Sequence, residues 1–404
     1  MSSKRLVVLL GLAGFIVMAD NWVVSPILPA IAHSLGVTSS SAGILIAAYM
    51  LPFGLFQLVF GPLADRYGKS RVVLGTLALF TVATALCATG VSLTGLSVYR
   101  ALTGLFAAAT MPISLALIAD VVPIANRQQA IGSFMGIAFL GQALSMGIGG
   151  AIAYFVDWRG VFIAYAAFSA LVTVVLWKGL ASVRAGESRD RSERFFTPYL
   201  KLLRHGPSMR TYGVILAEGI FLLGSFSYLG AVLAQRYQLS FLAIGGVMTA
   251  FGIAAVLAGR MSGGLAAKLG RRNTVVVGLA LAALADLLVL AGAPSLFVTA
   301  VGIFVLGFGF MTAHSTLLTI ATEFAANARG AAMSLVTFCF MLGGAIGTGL
   351  GGRLIAAASY GTLYGAYAAG LGLLALAAVP SLAAASAVHA AAGPEQQEEA
   401  FIVV

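Results

Sequence analysis

Ionisable residues within long apolar segments are the first features of this sequence that could do chemistry. Asp20, Arg100 and Glu218 each interrupt a run of aliphatic and aromatic residues, and Asp286 and His314 lie in two further runs. An ionisable side chain at the centre of a membrane-spanning helix costs about 2.5–3.5 kcal/mol, so such residues usually have a function. A carboxylate in this position could take up a proton on one side of a membrane and release it on the other. The sequence therefore predicts proton coupling, with Asp20 as the leading site.

Structural explanations compete with this interpretation. The guanidinium of Arg100 needs a carboxylate partner, for which Asp20 is the first candidate, but the two could form a fixed ion pair, or Arg100 could extend to the nearer membrane interface. Glu218 could be a second proton site or could bind a cationic substrate. His314 could titrate near neutral pH, although a lone histidine is more often a packing residue.

The composition indicates what kind of protein holds these residues. Hydrophobic residues make up 60% of the 404 residues and charged residues only 9%, whereas charged residues alone approach a quarter of a soluble domain. The apolar runs are long and uninterrupted, which fits spanning helices of about 20 residues and not the short alternating strands of a barrel. The chain is therefore predicted to be an all-α membrane protein. Its two cysteines, Cys87 and Cys339, lie in different runs and make neither a disulfide framework nor a metal site.

The net charge of +10 is explained by where the basic residues lie. Most of the 23 lysines and arginines fall in segments on one side of the predicted helices, and loops rich in basic residues face the cytoplasm. We therefore expect both termini in the cytoplasm and an integral protein of a bacterial-type cytoplasmic (inner) membrane. No nucleic-acid partner is needed to account for the charge.

The apolar runs divide into two sets of six predicted spans. These are 6–32, 42–62, 72–91, 96–119, 130–155 and 160–181, then 211–233, 242–262, 273–292, 295–321, 330–355 and 361–385. The predicted domains are an N-terminal six-helix bundle over 1–181, a cytoplasmic linker over 182–210 with an interfacial helix around 195–203, a C-terminal six-helix bundle over 211–385 and a cytoplasmic tail over 386–404.

The two sets are repeats of one unit. A charged turn, Gly61 to Arg71, recurs 202 residues later as Gly263 to Asn273, and Gly141 of the fifth span recurs as Gly343 of the eleventh. Because each set has an even number of helices, both enter the membrane from the same side. The sequence therefore predicts two parallel pseudo-repeats related by an axis along the membrane normal.

This organisation resembles the major facilitator superfamily over essentially the whole chain. The family signature after the second helix is present as Gly61, Asp65, Arg66, Gly68, Lys69 and Arg71. The resemblance implies a cytoplasmic gate, in which the turn packs against the start of the eleventh helix and the end of the fourth. Asp65 would face the amino end of the eleventh helix near Arg329, and Arg71 would pair with Asp120. Ala267 stands where the second copy would have the aspartate, which puts the latch function of that copy in doubt.

Two patterns resemble the 12-helix drug:proton antiporter branch of the superfamily. Asp20 followed by Leu28-Pro29 is similar to the first-helix pattern of proton-coupled exporters. Arg100 with Gly104 is similar to a fourth-helix signature linked to proton coupling. Asp286 lies in the ninth span, which in this superfamily usually packs on the outside of the bundle, and it is expected to be structural.

A glycine pattern in the fifth span also resembles that branch. Its spacing matches the antiporter motif of drug exporters, and its members are Gly132, Gly141, Gly149 and Gly150. The Gly-Pro pair of that motif is replaced by Ser145-Met146. Because glycines also let membrane helices pack closely, an antiport-specific role and simple packing both remain open.

By resemblance, a central cavity would be lined by aromatic, methionine and amide side chains. The candidates are Trp22, Tyr49, Phe53, Gln57, Met111, Gln142, Phe221, His314, Phe338 and Met341. Such a lining suits amphipathic or aromatic substrates, because it adapts its packing without demanding directional contacts. The same residue types are also common in the core and on lipid-facing surfaces.

The predicted function is secondary active transport rather than enzymatic catalysis. We expect a proton-coupled exporter of lipophilic or cationic small molecules that works by alternating access, functions as a monomer and needs no cofactor beyond the proton gradient, since no Gly-x-x-x-x-Gly-Lys nucleotide loop occurs. The alternatives are a proton symporter or facilitator for a small metabolite, and a non-transporting membrane receptor or assembly protein on the same fold.

Overall fold

The computed structural model describes residues 3–180, 197–292, 295–324 and 328–383. Within these ranges the regular structure is helical, and twelve helices are long and apolar enough to cross a membrane. Each predicted span overlaps one of the twelve, so the predicted all-α fold with two sets of six helices is confirmed. Part of the predicted linker, 182–196, and the predicted tail, 386–404, lie outside the described residues.

The amino-terminal half forms spans one to six. Its helices are α1 (Ser3–Trp22), α2 (Val24–Ser34), α3 (Ser39–Ala42), α4 (Ile44–Tyr67), α5 (Lys69–Cys87), α6 (Leu93–Ala107), α7 (Thr110–Val121), α8 (Ile124–Phe155) and α9 (Trp158–Leu180). The first span is α1 continued by α2, the second is α3 with α4, and the fourth is α6 with α7.

The linker helix and the second half follow. They are α10 (Thr197–Arg204), α11 (Gly206–Glu218), α12 (Gly224–Phe226), α13 (Leu229–Tyr237), α14 (Phe241–Leu269), α15 (Arg271–Ala291), α16 (Leu296–Glu323), α17 (Arg329–Ala357) and α18 (Tyr360–Ser381). The described part of the predicted linker helix is α10. A π-helical turn, Gly219–Leu223, connects α11 to α12, and α11 to α13 together form the seventh span.

The first and seventh spans are both interrupted, at places that the sequence explains. Between α1 and α2 the helix is broken at Val23, ahead of Pro26 and Pro29. Proline has no N–H to donate to the carbonyl one turn earlier. The Ser25 carbonyl therefore lacks the helical hydrogen bond that it would otherwise accept from residue 29. In the seventh span the π-helical turn is bounded by Gly219 and ends before Gly224. Interrupted helices of this kind expose backbone carbonyls near the centre of a transporter.

Equivalent contacts in the two halves show the internal repeat in three dimensions. Gly104 packs so tightly on the second span that an added Cβ would lie 2.2 Å from the Tyr49 carbonyl oxygen, and at Gly307 it would lie 2.2 Å from that of Phe251. The turn glycines Gly68 and Gly270 have φ angles of 93° and 77°. Only glycine adopts such angles readily.

The most extensive contacts between the two halves run along two helix pairs. In one pair α4 crosses α17 at Gly54, whose added Cβ would lie 3.3 Å from the Phe338 carbonyl oxygen. In the other α8 crosses α14, where Gly150 and Gly245 pack directly against each other. Glycine allows this backbone approach because it has no side chain.

The ends of the helices define two faces of the molecule. We call the face that holds the α4–α5 and α14–α15 turns the basic face, because Arg66, Lys69, Lys268 and Arg271 lie there. The other face, which holds the α2–α3 and α13–α14 connections, is called the opposite face.

Candidate functional site

The Asp20 carboxylate and the Arg100 guanidinium form a buried ion pair in the first half. Arg100 Nη1 lies 2.7 Å from Asp20 Oδ2, and Nη2 donates to the Asp20 backbone oxygen at 3.3 Å. The two side chains are 0% and 1% exposed. The guanidinium carbon lies 4.4 Å from the centre of the Tyr49 ring, an arrangement typical of a cation–π contact. The structure thus shows the predicted partner of Arg100 and places this side chain inside the bundle, away from the interface.

The ion pair leaves polar atoms without partners. Asp20 Oδ1 and Arg100 Nε are buried and form no hydrogen bond with the described residues. A buried pair whose hydrogen-bonding groups are only partly satisfied is costly. A proton on Asp20 would remove its negative charge and leave Arg100 as an unpaired buried cation. The arrangement can therefore connect protonation to a change in hydration or packing around Arg100.

A second buried pair lies in the other half. His314 Nδ1 of α16 is 3.0 Å from Glu218 Oε2, at the end of α11. Glu218 is fully buried and His314 keeps 19% of its side chain exposed. The imidazole lies against two aromatic rings, with centroids 4.3 Å from Phe340 and 5.3 Å from Phe310. Glu218 Oε1 forms no hydrogen bond with the described residues.

The two pairs occupy corresponding spans of the repeat. Asp20 and Arg100 connect the first and fourth spans, whereas Glu218 and His314 connect the seventh and tenth. The sequence pointed to Glu218 and His314 separately and did not predict that they meet. The signal that could have found the pair is the repeat itself, since the partner helices of one half have counterparts in the other.

An aromatic cluster lies between the halves, against the imidazole of His314. It consists of Trp22, Phe226, Phe251, Phe310 and Phe340. Trp22 comes from the first half, and its ring lies 4.7, 5.3 and 5.9 Å from the rings of Phe226, Phe251 and Phe310. A small cavity of about 10 Å³ borders the cluster and is lined by Asn21, Trp22, Ser25, Ile46, Met50 and Phe226. Of the predicted cavity residues, Trp22 belongs to the aromatic cluster and His314 lies against it.

Other predicted cavity residues lie on the helices that face the other half. Phe53 stacks on Tyr49 at 5.6 Å, and Phe338 and Met341 pack on Gly54 where α4 crosses α17.

The remaining predicted cavity residues are two glutamines and a methionine of the first half and one phenylalanine of the second. Gln57 and Gln142 are buried, and the Gln142 amide nitrogen has no partner among the described residues. Met111 is partly buried, near Gly14 of α1. Phe221 lies elsewhere, because its ring packs on Gly370 and Tyr367 of α18.

Hydrogen bonds between the halves seal the opposite face. The Ser25 hydroxyl lies 2.8 Å from the Phe226 carbonyl oxygen and 3.2 Å from that of Ser227. The Tyr228 hydroxyl lies 3.4 Å from the Ser40 carbonyl oxygen of the first half, and within its own half it donates to the Thr348 carbonyl at 2.8 Å. We call the contacts that Ser25 and Tyr228 make between the halves the opposite-face seal. The interrupted spans make it possible, because they bring backbone carbonyls of the seventh span to the first.

The gate motif on the basic face differs from the prediction in two contacts, of which the first concerns Asp120. Asp120 at the end of α7 pairs with Lys69 at 2.7 Å, and not with Arg71. Arg71 follows Lys69 by two residues, which turns its side chain about 200° around α5. Arg271 and Glu323 form the equivalent ion pair in the second half, although that copy lacks the aspartate of the motif.

The predicted contact between Asp65 and the start of the eleventh span is not made in this conformation. Asp65, Arg66 and Arg329 are exposed, and no ion pair of Asp65 occurs within the described ranges. Arg127 is partly buried. The motif therefore joins the second and third spans to the fourth, and it leaves the second half unlatched on this face.

Three of the four glycines of the fifth-span motif are packing positions. An added Cβ at Gly141 would lie 2.2 Å from the Phe15 carbonyl oxygen, at Gly149 it would lie 2.1 Å from the Val23 side chain, and at Gly150 it would lie 2.4 Å from the Phe241 carbonyl oxygen. Gly132 has open space around it. Close helix contact accounts for the first three and not for Gly132.

Comparisons with known proteins agree with this architecture. The sequence matches the family described as Major Facilitator Superfamily over residues 10–348 and 219–402. It is 30% identical over 347 residues to an uncharacterised MFS-type transporter, YceJ, of Bacillus subtilis, with 84% of this chain and 86% of that protein covered. Over 139 residues, 34% of this chain and 36% of the relative, it is 34% identical to the quinolone resistance protein NorA of Staphylococcus aureus.

Solved structures show the same fold at low sequence identity. The nucleoside transporter NupG has a TM-score of 0.76 and 14% identity, with 95% of this chain and all of that chain covered. At this identity the likeness concerns the fold alone.

Proposed function

The chain belongs to the major facilitator superfamily and is an integral membrane transporter, not an enzyme, and we propose that it is a proton-coupled exporter of lipophilic or cationic small molecules. The observation that carries the proposal is the pair of buried ionisable contacts, one in each half of the molecule. Charged groups are costly inside a membrane bundle, and in transporters they mark ion and substrate pathways.

The aromatic cluster supports a lipophilic substrate. Its rings are contributed by both halves, so a ligand that enters between them can contact both at once. Flat apolar groups stack on such rings, and a cation is attracted to their faces. Glu218, beside the cluster, supplies a buried negative charge that can bind a cationic group of the substrate. His314 would compete with that group for Glu218. This arrangement favours substrates that combine an aromatic part with a positive charge.

Asp20 is the proposed coupling site and Arg100 the residue that tunes it. With Asp20 ionised, the pair is neutral and compact, as in this structure. Proton uptake by Asp20 would release Arg100, and a conformation that hydrates the guanidinium would then be favoured. Release of the proton on the other side would restore the pair. Glu218 and His314 would form a second proton-sensitive contact, through which a bound cation exchanges for a proton.

Alternating access follows from the contacts at the two faces. The opposite-face seal is closed and the Asp65 latch is not engaged. We propose that the basic face is cytoplasmic, as the concentration of basic residues favours, and that the protein here has its cytoplasmic side released. Closing the latch and opening the seal would give the outward-facing state.

Transport in liposomes under an imposed pH gradient tests this function. Wild type is expected to move lipophilic cationic dyes against proton flow, and Asp20→Asn is expected to lose the dependence on the gradient. Asp157→Asn is the matched control, because Asp157 is an exposed carboxylate that interacts with Arg159 at the opposite face. The exporter proposal fails if wild type moves none of the dyes, and the role of Asp20 fails if Asp20→Asn remains as strongly coupled as wild type.

A proton symporter or facilitator for a small metabolite is the second candidate. The observation in its favour is Ser145-Met146, which replaces the Gly-Pro pair of the drug-exporter motif. The same liposomes distinguish the two functions, because a symporter would accumulate a metabolite in the direction of proton flow.

A further inference from the structure

Asp286 is a buried carboxylate that the proposed transport cycle does not use. It lies in α15, about one and a half turns from the end of that helix at the opposite face, and is fully buried. Neither of its carboxylate oxygens forms a hydrogen bond with the described residues. Asp286 therefore differs from Asp20 and Glu218, each of which has a basic partner.

Two hydroxyl groups lie around Asp286. The Ser225 hydroxyl of α12 lies beside the carboxyl group and also 3.0 Å from the Leu222 carbonyl oxygen, and its single proton can be donated to only one of them. The Tyr364 hydroxyl of α18 donates to the Ser225 carbonyl at 3.2 Å. While Ser225 donates to Leu222, it offers Asp286 a lone pair. A protonated carboxylic acid can donate to that oxygen, whereas a carboxylate would face another acceptor.

No cation compensates a charge on Asp286 among the described residues. Arg236 of the seventh span uses its guanidinium to bind the Val289 carbonyl at 2.6 Å, between Asp286 and the opposite face. From α18, Tyr364 and Tyr367 lie within electrostatic range of the carboxylate. Both are neutral hydroxyls engaged with backbone carbonyls.

The other two helices that pack on α15 bring no free charge to this level. On α16, His314 and Glu323 are paired with Glu218 and Arg271. The basic residues of α14, Arg260 and Lys268, lie towards its end at the basic face.

Ser225 connects this carboxyl group to the opposite-face seal. The next two residues, Phe226 and Ser227, are those whose carbonyl oxygens accept the Ser25 hydroxyl of the other half. The backbone of α12 is therefore held from one side by Tyr364, next to Asp286, and from the other by Ser25. A change at Asp286 acts on the segment that closes the opposite face.

We infer that Asp286 holds a proton while the opposite-face seal is closed and releases it to the opposite side when the seal opens. In the closed state the carboxylic acid donates to the Ser225 hydroxyl oxygen and fixes α12. Release transfers the proton to water and leaves a carboxylate, which cannot donate to Ser225 and is stable only once water reaches it. The proton at Asp286 would thus regulate opening, outside the central site and independently of the substrate that the protein carries.

Distance measurements between two spin labels on the opposite face test this inference. Phe155 and Ala357 are exposed and occupy equivalent positions in the two halves. The labels are attached through Phe155→Cys and Ala357→Cys in full-length protein from which the native cysteines, Cys87 and Cys339, have been removed. Raising the pH is expected to lengthen the distance between the labels, and Asp286→Asn, which keeps the neutral shape of the acid, is expected to abolish the lengthening. The lengthening should persist in Asp20→Asn, so that failure here and failure of the coupling proposal are separable.

Three results would overturn the inference. The first is a distance in wild type that does not lengthen as the pH rises, and the second is lengthening that persists in Asp286→Asn. The third is lengthening at fixed pH when choline chloride is replaced by NaCl, which would assign a sodium ion to the site.

An infrared measurement covers the case in which Asp286→Asn does not accumulate. The carboxylic-acid band of wild type should weaken as the pH rises, and Tyr364→Phe should retain this band while losing the change in distance. A wild type without a pH-dependent acid band would contradict a proton at Asp286.

Discussion

Removing one partner of the Asp20–Arg100 pair should cost more stability than removing both. The pair is shielded from water, and deleting one member of a buried pair costs about 3–5 kcal/mol because it leaves an uncompensated charge. Asp20→Leu is therefore expected to lower the thermal unfolding temperature in detergent by more than the double variant Asp20→Leu/Arg100→Leu. All of these variants should lose proton coupling. Equal destabilisation by the single and double variants would contradict the importance of charge compensation.

Ser25 provides a single hydroxyl with which to test the opposite-face seal. Ser25→Ala removes its contacts with the Phe226 and Ser227 carbonyl oxygens, and a hydrogen bond contributes about 0.5–1.5 kcal/mol. The open state should gain about two- to tenfold in population, measured as a longer distance between labels at Phe155→Cys and Ala357→Cys. Ser97→Ala is the matched control, because the Ser97 hydroxyl donates to Leu93 within its own helix. A shift of equal size in the control would show that the seal has no special role.

At the scale of helices, the fifth-span glycines separate packing from other roles. Gly141→Ala places a methyl group against the Phe15 carbonyl, whereas Gly132→Ala meets open space. Overpacking typically costs about 1–3 kcal/mol, so Gly141→Ala should reduce thermal stability and Gly132→Ala should not. Transport by Gly132→Ala then decides what the motif does. Normal stability with lost antiport would show a functional role for Gly132, and normal transport would leave packing as the explanation.

The helices could be predicted from the sequence because apolar length and glycine or charge punctuation are local properties. The Asp20–Arg100 contact was also predictable, since a buried guanidinium has few possible partners. For Glu218 and His314 the repeat indicated only that the seventh and tenth spans are neighbours, because their contact also depends on how these two spans are rotated about their axes. The same reason explains Lys69 as the partner of Asp120, where a difference of two residues around α5 decides which cation faces the fourth span.

At the scale of the molecule, the two ion pairs on the basic face make each half a unit. Lys69 with Asp120, and Arg271 with Glu323, join helices of the same half. Exposed ion pairs contribute about 0–1 kcal/mol each to the free energy of unfolding. Their main effect should therefore be on how the helices of each half are oriented, and not on stability. Exchanging the charges as Lys69→Asp/Asp120→Lys is expected to retain transport, while Lys69→Asp alone should reduce it. A charge-exchanged protein as impaired as the single variant would show that the identity of Lys69 matters beyond its charge.

Rocking of the two halves predicts opposite changes at the two faces. Tyr67 and Leu269 are exposed, equivalent positions on the basic face, as Phe155 and Ala357 are on the opposite face. Labels at Tyr67→Cys and Leu269→Cys should approach each other under conditions that separate the opposite-face labels. The physical reason is that α4 and α17 of the two halves cross at Gly54, midway along α4, so rotation about this contact opens one face as it closes the other.

Asp65→Ala supplies the control for this motion. In the state with the basic face closed, the Asp65 carboxylate would compensate the partial positive charge at the start of the eleventh span. Without this carboxylate, that state should lose population. The basic-face distance should then stay long under every condition, while the fold and the Asp20–Arg100 pair persist. If the two distances change independently in wild type, or if Asp65→Ala leaves both distributions unchanged, the halves do not move as rigid units governed by this latch.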